Sequence, residues 1–342
     1  MNTKTRLLYT TWLSRQAELN HVAEGTVIGE KQFSVDPSVQ QTLIDKQRES
    51  SEFLSQINVV PVDEQSSEKL GLGVAGTLAG RTDTNARDRE TRDPTTLDAD
   101  RYECKQTNFD THVTYAKMDL WAKFKDFQIR MRNQVLLQQA RDRIMIGWNG
   151  ISAATQTDRV ANPLLQDVNI GWLQQIRANR PSHVFSTGEA TPGKIIVKAA
   201  GGDYRNLDAL VFDAIQNFLP EWVHGDTGLV AIVGGGLLHE KYFPMVDGED
   251  KPTEKIATDI LLSKKQLGGL QVVKVPFFPA GAILITRLDN LSIYEQENTR
   301  RKTIVDNAKR NRVETYESVN EAYVVENYDF ALLIENIEVV GE

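Results

Sequence analysis

The stretch AKMDLWAKFKDFQIRMRNQVLLQQARDRIMI, residues 116–146, contains no glycine and no proline, and most of its residues favour helix formation. It therefore predicts one long helix. At about 1.5 Å per residue, roughly thirty residues would span about 45 Å, whereas a small domain is about 30 Å across. A rod of this length suits a flat or extended subunit better than a compact globule.

Apolar side chains recur on two sides of this predicted helix. The first side follows steps of three and four residues in the N-terminal half, at Leu120, Phe124, Phe127, Met131 and Val135. The second side lies towards the C-terminal end, at Leu136, Ala140, Ile144 and Trp148. The two patterns indicate that the helix changes its packing partner along its length.

Composition argues against several classes of protein. The chain has 342 residues, of which 40% are hydrophobic, which is enough for one large or two modest cores. Its single cysteine, Cys104, cannot form an intrachain disulfide and fits a reducing compartment. The formal net charge of −8 argues against a dedicated nucleic-acid binder. No apolar run approaches the ~18 residues of a membrane span, and the N-terminus lacks the apolar core of a secretory signal, so we expect a soluble protein.

The N-terminal part predicts two helical segments separated by a linker. Residues 5–20 predict a short amphipathic helix whose apolar contacts are Leu8, Trp12 and Leu19. Residues 21–32 show little pattern and are interpreted as a linker. A second helical segment is predicted from Pro37, because Asp36 is a good N-cap and proline suits the first helical position. Its apolar face is expected to comprise Val39, Leu43, Phe53, Leu54 and Ile57.

Residues 68–115 predict a long two-stranded arm. Its strands are expected at residues 70–80 (LGLGVAGTLAG) and 102–115 (YECKQTNFDTHVTY). Between them, residues 81–101 hold Leu97 as their only large aliphatic residue and cannot bury themselves. The segment is either a floppy surface loop or an arm held by a neighbouring chain, because a two-stranded ribbon alone is marginally stable in water.

The rest of the chain mixes helices and strands. Helices are predicted within residues 162–177 and at 207–218. Strands are predicted at residues 195–197, 229–233, 272–275, 282–286, 291–294 and within 323–340. Because the elements do not alternate regularly as in a doubly wound sheet, the predicted fold class is α+β.

Three short motifs approach known ligand sites without completing them. Residues 188–195 (GEATPGKI) have the glycine and lysine spacing of a phosphate-binding loop, but Ile195 replaces the required Ser or Thr and a strand, not a helix, is predicted to follow. Residues 234–236 are glycines, but a dinucleotide site needs another glycine where His239 stands. His239 and Glu240 begin a zinc-protease motif whose second histidine is replaced by Phe243. The sequence therefore predicts no catalytic residue, no cofactor and no metal site.

The segment 299–312 carries the strongest run of basic side chains, namely Arg300, Arg301, Lys302, Lys309, Arg310 and Arg312. Asp306 and Glu314 accompany it and no aromatic residues are interleaved. We therefore interpret it as a solvated or inter-subunit salt-bridging segment rather than a phosphate-binding one. Together with the rod and the arm, the missing active site favours assembly over catalysis.

Seven segments resemble, in order and wording, the major capsid protein of Peduovirus-type (P2-like) tailed bacteriophages. They are spread in order along the chain, from residue 33 to residue 328 of its 342 residues. They are FSVDPSVQQTL (33–43), DLWAKFKDFQIRMRN (119–133), NPLLQDVNIGWLQ (162–174), GGDYRNLDALV (201–211), KYFPMV (241–246), VPFFPAGAILITRLDNLSIY (275–294) and RVETYESVNEAYVVENY (312–328).

The resemblance implies the Hong Kong 97 capsid fold, with an N-terminal arm, an extended β-hairpin loop, a spine helix in a peripheral domain, and an axial domain. It implies the following division of the chain: residues 1–32, an N-terminal segment removed on maturation; 33–61, the N-arm; 62–115, the extended loop; 116–161, the spine helix and peripheral domain; 162–318, the axial domain; 319–342, C-terminal strands of the peripheral domain.

The resemblance also implies the function of a shell subunit. Pentamers and hexamers would close into an icosahedral head around double-stranded DNA in the host bacterial cytoplasm, without membrane contact. The implied partners are further copies of the chain, an internal scaffolding protein, a maturation protease, a portal protein and the packaged DNA, which is contacted non-specifically. The expected processing region is marked by Gly25, Glu30, Lys31, Gln32 and Phe33. A cargo-compartment shell of the same fold and a P-loop nucleotide hydrolase are the alternatives.

Overall fold

The computed structural model describes residues 1–28, 30–49, 51–74, 79, 81–84, 88–89, 91, 95–122, 127–237 and 266–340. Its α-helices are α1 (Thr3–Leu19), α2 (Glu24–Ile28), α3 (Pro37–Glu49), α4 (Glu52–Gln56), α5 (Tyr115–Trp121), α6 (Phe127–Asn149), α7 (Trp172–Asn179) and α8 (Leu207–Phe218). Its strands are β1 (Phe33–Ser34), β2 (Asn58–Val62), β3 (Ser66–Val74), β4 (Thr95–Glu103), β5 (Lys105–Asn108), β6 (Thr111–Thr114), β7 (Val184–Phe185), β8 (Ile195–Val197), β9 (Val230–Val233), β10 (Gln266–Leu267), β11 (Leu270–Val273), β12 (Ile283–Thr286), β13 (Leu291–Gln296), β14 (Arg301–Asn307), β15 (Arg312–Val325), β16 (Leu332–Ile334) and β17 (Ile337–Val339).

Two sheets organise these elements. The first has seven strands, in the order β1-β14-β15-β13-β2, with β5 and β6 also paired to β15. The second has six strands, in the order β10-β11-β9-β12-β16-β7, and β8 and β17 form a separate parallel pair beside it. Helices and strands are mixed without βαβ alternation, so the predicted α+β class is confirmed.

The sheets divide the chain differently from the predicted boundary at residue 318. β13 and β14 lie in the same sheet as β15, whereas β16 and β17 pair with β12, β7 and β8. The chain crosses between the sheets just before β13 and again just after β15. Asn290 ties the two crossings together, because its side chain donates to the Asn327 carbonyl oxygen at 2.8 Å and accepts from the Asn327 N–H at 2.7 Å. Each sheet is therefore built from separate parts of the sequence.

The stretch that predicted one long helix forms two helices in the part of the chain that is described. α5 ends at Trp121, where the Ala122 N–H still bonds the Met118 carbonyl, and α6 begins at Phe127. Residues 123–126 lie outside the described residues. The two helices pack on different partners, since Met118 contacts the N-terminal helices whereas Ile144 is buried in the central core. The prediction of a single helix is wrong at this point, and the predicted change of partner is confirmed.

The second apolar side of the stretch is the one that packs inward. Its members Leu136, Ala140, Ile144 and Trp148 are all buried. On the first side, Leu120 is 61% exposed and Phe124 lies outside the described residues. The central core is thus built on the C-terminal half of α6, which packs over the first sheet together with α7.

Aromatic rings fill this core. The ring of Trp172 lies 4.8 Å from that of Trp148 and 5.4 Å from that of Tyr323, and its indole N–H donates to the Ser292 carbonyl at 3.0 Å. A second core forms where α8 packs on the six-stranded sheet, through Leu210, Val211 and Ala214. These are the two largest cores among the described residues, and both sheets contribute to the first of them, for example through Tyr323 and Leu284.

Gly147 permits the close contact between α6 and the Trp172 ring. A methyl group at this position would lie 2.2 Å from a carbon of that ring. We expect Gly147→Ala to lower the free energy of unfolding by about 1–3 kcal/mol through overpacking, although alanine is otherwise favoured over glycine in helices by about 1 kcal/mol. Chemical denaturation of the unassembled subunit measures this change. Gln134→Ala, at an exposed position of α6, is the control, and a stabilised Gly147→Ala variant would contradict the prediction.

The N-terminal residues form two helices, of which α2 lies within the predicted linker. α1 buries Tyr9, Leu13 and Ala17 and leaves Leu8 and Leu19 largely exposed, so the predicted apolar contacts are wrong for these two. The buried residues are four apart and thus share one face of the helix. The sequence pattern fits this face and the adjacent face, which contains Leu8 and Leu19, equally well. The predicted start of α3 is confirmed, because Pro37 is its first residue and the Asp36 carboxylate accepts the Ser38 N–H at 2.9 Å.

Candidate functional site

The glycine and lysine loop at residues 188–195 is a turn that leads into β8. Its backbone N–H groups are already used, since the Asp203 carboxylate accepts from Ala190 at 2.6 Å and from Ile196 at 2.7 Å. The Lys194 ammonium lies 2.7 Å from the Glu338 carboxylate. The Asp203 carboxylate occupies the N–H groups that would bind a phosphate. A strand also follows the loop, whereas a phosphate site requires the N-terminus of a helix. The strand predicted after this loop is confirmed, but the loop is not a hairpin turn, because β8 pairs with β17 and β7 pairs with β16.

The described part of the other motifs provides no site. Gly234 follows β9 and approaches residue 280 so closely that a methyl group would lie 2.3 Å from the Ala280 carbonyl oxygen. His239, Glu240 and Phe243 lie outside the described residues. Among the residues described, no three His, Cys, Asp or Glu side chains are grouped to hold a metal ion, and no helix is both long and apolar enough to cross a membrane. Burial, together with nearby carboxylates, raises the pKa of the Cys104 thiol to about 12, so it is protonated at neutral pH.

A buried ion cluster lies between α6 and the first sheet. It comprises Arg143, Arg300, Glu295, Glu317 and Glu321. The Arg143 guanidinium lies 2.8 Å from Glu321 and 3.2 Å from Glu295. The Arg300 guanidinium lies 2.6 Å from Glu317 and 3.3 Å from Glu295. Arg300 was expected to be solvated or to reach another subunit, and this is wrong: its side chain is fully buried in contacts within the chain.

The buried ion cluster also receives α3. The Gln40 amide donates to Glu295 at 2.7 Å, and the Gln47 amide donates to the Gln139 side chain of α6 at 2.6 Å. The Gln47 carbonyl oxygen accepts from Arg143. α3 thus buries Gln40, Ile44 and Gln47, instead of the predicted Val39 and Leu43. The cluster fastens α3, α6, β13 and β15 to one another.

The carboxylates of the buried ion cluster outnumber its arginines by one. Burial raises the pKa of Glu321, which the attraction of Arg143 only partly offsets. Burial also acts to raise the pKa of Glu317, but the attraction of Arg300, Lys302 and Arg143 is larger and lowers it. Removing one partner of a buried ion pair leaves the other charge uncompensated, which lowers the free energy of unfolding. The cluster therefore holds its helices and strands together.

A two-stranded ribbon, formed by β3 and β4, projects from the first sheet. Its antiparallel register runs from Ser66 opposite Glu103 to Val74 opposite Thr95. No third strand joins it within the described residues. At its base the Cys104 N–H donates to the Gln65 carbonyl at 2.7 Å.

The predicted two-stranded arm is confirmed, but the predicted bounds of its second strand, residues 102–115, are wrong. Of the predicted residues 102–115, only Tyr102 and Glu103 pair with β3, whereas β5 and β6 pair with β15. Residues 95–101, expected in the loop, are part of β4. The reason is Cys104, which is completely buried against Ala322 and anchors the chain at the point where it passes from ribbon to sheet.

The fold agrees with comparisons to known proteins. A family model described as phage major capsid protein, P2 family, matches residues 8–337. The chain belongs to this family. It is 47% identical to the capsid proteins of Escherichia phage P2, over 99% of this chain and 96% of that relative. It is 38% identical to the major capsid protein of Serratia phage KSP20, over 98% of this chain and 97% of the relative.

Comparisons with solved structures also identify capsid proteins. A chain of the satellite phage P4 procapsid, solved with the size determination (Sid) protein, is 43% identical and superposes with a TM-score of 0.81, covering 99% of both chains. A capsid chain of an empty GTA particle is 14% identical, with a TM-score of 0.51 over 84% of this chain and 90% of that one, and supports the fold alone. The Hong Kong 97-type fold expected from the sequence is confirmed. The chain is a phage major capsid protein, a subunit of the multimeric shell of a virion.

Proposed function

We propose that this capsid protein forms pentamers and hexamers that close into an icosahedral shell around double-stranded DNA. The observation that carries the proposal is the ribbon of β3 and β4, which has nine residues in each strand and pairs only with itself among the described residues. A two-stranded ribbon is marginally stable in water unless something packs on it. A neighbouring copy of the chain supplies that support, so the ribbon is the contact through which one subunit holds the next.

The two sheets provide the parts of such a subunit. We assign the peripheral domain to the seven-stranded sheet with α6 and α7, and the axial domain to the six-stranded sheet with α8 and the β8–β17 pair. The N-arm then comprises α3 and α4, and the extended loop is the ribbon. The assignment places β13 to β15 in the peripheral domain and β16 and β17 in the axial domain, in accord with their pairing.

We assign four kinds of partner besides further copies of the chain: an internal scaffolding protein, a maturation protease, a portal protein and the packaged DNA. Assembly takes place in the host bacterial cytoplasm. The net charge of −8 supports non-specific DNA contact, because a shell that must release its genome gains nothing from tight phosphate binding.

Electron microscopy of the chain co-expressed with its neighbouring genes tests the shell. We expect closed particles, or rings of five and six subunits, with DNA inside the particles made during infection. A stable monodisperse monomer would refute the proposal. An enzyme in place of DNA inside the particles would instead identify a cargo compartment.

Proteolytic processing is proposed between α2 and β1. Glu30, Lys31 and Gln32 are exposed and belong to no helix or strand, whereas Gly25 lies in α2 and Phe33 is buried in β1. Exposed loops and turns are the preferred sites of proteolytic cutting, so the cut is expected at residues 30–32. Intact-mass measurement of mature particles should show most subunits beginning within or directly after these residues.

Two further samples make this test decisive. Particles assembled without the protease gene should contain the uncut chain, which is the control. Mature particles in which most subunits still begin at Met1 would contradict the processing proposal without affecting the shell proposal.

A further inference from the structure

The three carboxylates of the buried ion cluster are not equally compensated. Glu295 accepts hydrogen bonds from both guanidinium groups and from an amide of α3. Glu317 accepts two from Arg300, at 2.8 Å from Nε and 2.6 Å from Nη2. Within the described residues, the Glu321 side chain accepts one, from Arg143 Nε to its Oε2 atom at 2.8 Å. Glu321 is therefore the least compensated carboxylate of the cluster.

The other carboxylate oxygen of Glu321 has no donor. Its Oε1 atom is buried and has no hydrogen-bond partner within the described part of the chain, and the residue as a whole is 0% exposed. An ionised carboxylate has acceptor sites on both oxygens, and burying a charged group that lacks partners costs free energy. A protonated carboxyl group is neutral, so it avoids most of this cost.

Other cations near the cluster are engaged elsewhere. Lys105 lies opposite Glu321 in the β5–β15 register, but its ammonium binds a carboxylate of β4. Lys302 lies opposite Glu317 in the β14–β15 register and acts on that carboxylate instead. Arg48 of α3 donates to carbonyl oxygens at the end of α4, at 3.4 Å. These cations therefore do not balance the charge of an ionised Glu321.

Apart from the cluster itself, the groups that face Glu321 are uncharged. Burial raises the pKa of the Cys104 thiol to about 12 and that of the Tyr323 hydroxyl well above its ordinary value, so both are neutral at neutral pH. The side chains that α3 adds to the cluster are amides. Burial outweighs the attraction of Arg143 and, helped by the charge of Glu295, raises the pKa of the Glu321 carboxyl above its ordinary value of 4.5.

We propose that Glu321 carries a bound proton at neutral pH, and that losing this proton as the pH rises loosens α3 from the first sheet. With the proton in place, Arg143 serves Glu295 and the Gln47 oxygen as well as Glu321. An ionised Glu321 competes for the same N–H groups with its unpartnered oxygen. Lifting α3 admits water to the cluster, restores the ordinary pKa and releases the proton, so this opening becomes easier at higher pH.

Urea denaturation of unassembled subunits between about pH 6 and about pH 8 tests the bound proton. The favourable contribution of the proton is complete below the unfolded pKa of 4.5 and is lost progressively as the pH rises towards the raised pKa of the folded chain. Relative to Glu321→Gln, whose neutral amide replaces the protonated carboxyl, the unfolding constant of the intact chain should rise about tenfold per pH unit. A ratio that does not change with pH would overturn the proposal.

A control and a second measurement complete this test. Glu338→Gln, at an exposed position of β17, is the control, and its ratio to the intact chain should not change with pH. Infrared spectra of the intact chain at neutral pH should contain a carbonyl band of a protonated carboxyl group that is missing from Glu321→Gln. Absence of this band from the intact chain would refute the proposal even if Glu321→Gln did not fold.

Hydrogen exchange shows whether the proton acts on α3. At a given pH, the amides of α3 should exchange faster in the intact chain than in Glu321→Gln, and this excess should grow by up to about tenfold per pH unit. Amides of α8, which packs on the other sheet, should exchange equally in both proteins. Equal exchange of the α3 amides in the two proteins at about pH 8 would overturn the proposed loosening.

Discussion

Replacing Arg143 by methionine is expected to lower the free energy of unfolding by about 3–5 kcal/mol, the usual cost of removing one partner from a buried ion pair. Arg143 pairs with Glu295 and Glu321, both of which are fully buried. Without it, Arg300 is the remaining guanidinium for three carboxylates of the cluster, and the Gln47 oxygen loses its donor. The uncompensated charge, rather than lost packing, is the origin of the effect.

Urea denaturation of unassembled subunits measures the effect of Arg143→Met. Arg141→Met is the matched control, because Arg141 lies two residues earlier on α6 and is exposed. Its replacement should change stability by less than about 0.5 kcal/mol, as is usual at the surface. A similar small change for Arg143→Met would mean that the cluster is hydrated in solution and does not hold α3, α6 and the sheet together.

The buried ion cluster marks the limit of what the sequence could predict. Apolar periodicity placed Val39 and Leu43 on the buried face of α3, but this face is occupied by Gln40, Ile44 and Gln47. The glutamines are buried because Glu295 and Arg143 lie opposite them, and those residues come from distant parts of the chain. A pattern that ranks residues by polarity cannot reveal a buried polar face whose partners are set by tertiary structure.

Helices and strands whose buried residues follow a regular apolar pattern in the sequence were predicted correctly. The helix predicted at residues 207–218 is α8, and the strand predicted at 195–197 is β8, both with the same bounds. Strand pairing was harder to predict, because register depends on contacts between remote residues. The chain beyond Cys104 has strand-like content that fits either the ribbon or the sheet, and the burial of Cys104 against Ala322 decides in favour of the sheet.

The processing region and the packing of α1 show the same difference between what a local pattern predicts and what tertiary contacts decide. The sequence identified residues 21–32 as weakly patterned, and within this segment the structure shows residues 30–32 as an exposed run between α2 and β1. The sequence alone could not show that Tyr9, Leu13 and Ala17 would be buried rather than Leu8 and Leu19, since both sets fit one face of a helix. The choice between them is made by Ile304 and Val313, on a hairpin far along the chain.

Shortening the ribbon is expected to abolish shell formation while leaving the subunit folded. Lys69 and Asp100 lie opposite each other in the register, so an Asn-Gly turn that joins them closes a hairpin and removes residues 70–99. The base keeps three further pairs and the 2.9 Å ion pair between Glu68 and Arg101. Both cores lie outside the deleted residues, so secondary structure and unfolding temperature should be nearly unchanged.

Assembly of the short-ribbon variant should fail because the lost strands are the elements proposed to hold a neighbouring subunit. Particle yield, measured by electron microscopy and sedimentation after co-expression with the neighbouring genes, is expected to fall at least about tenfold, which corresponds to about 1.4 kcal/mol or more of contact free energy. The intact chain expressed in parallel is the reference, and circular dichroism with thermal unfolding verifies that the variant is folded. Closed shells at the normal yield would show that the ribbon is not the contact that holds one subunit to the next.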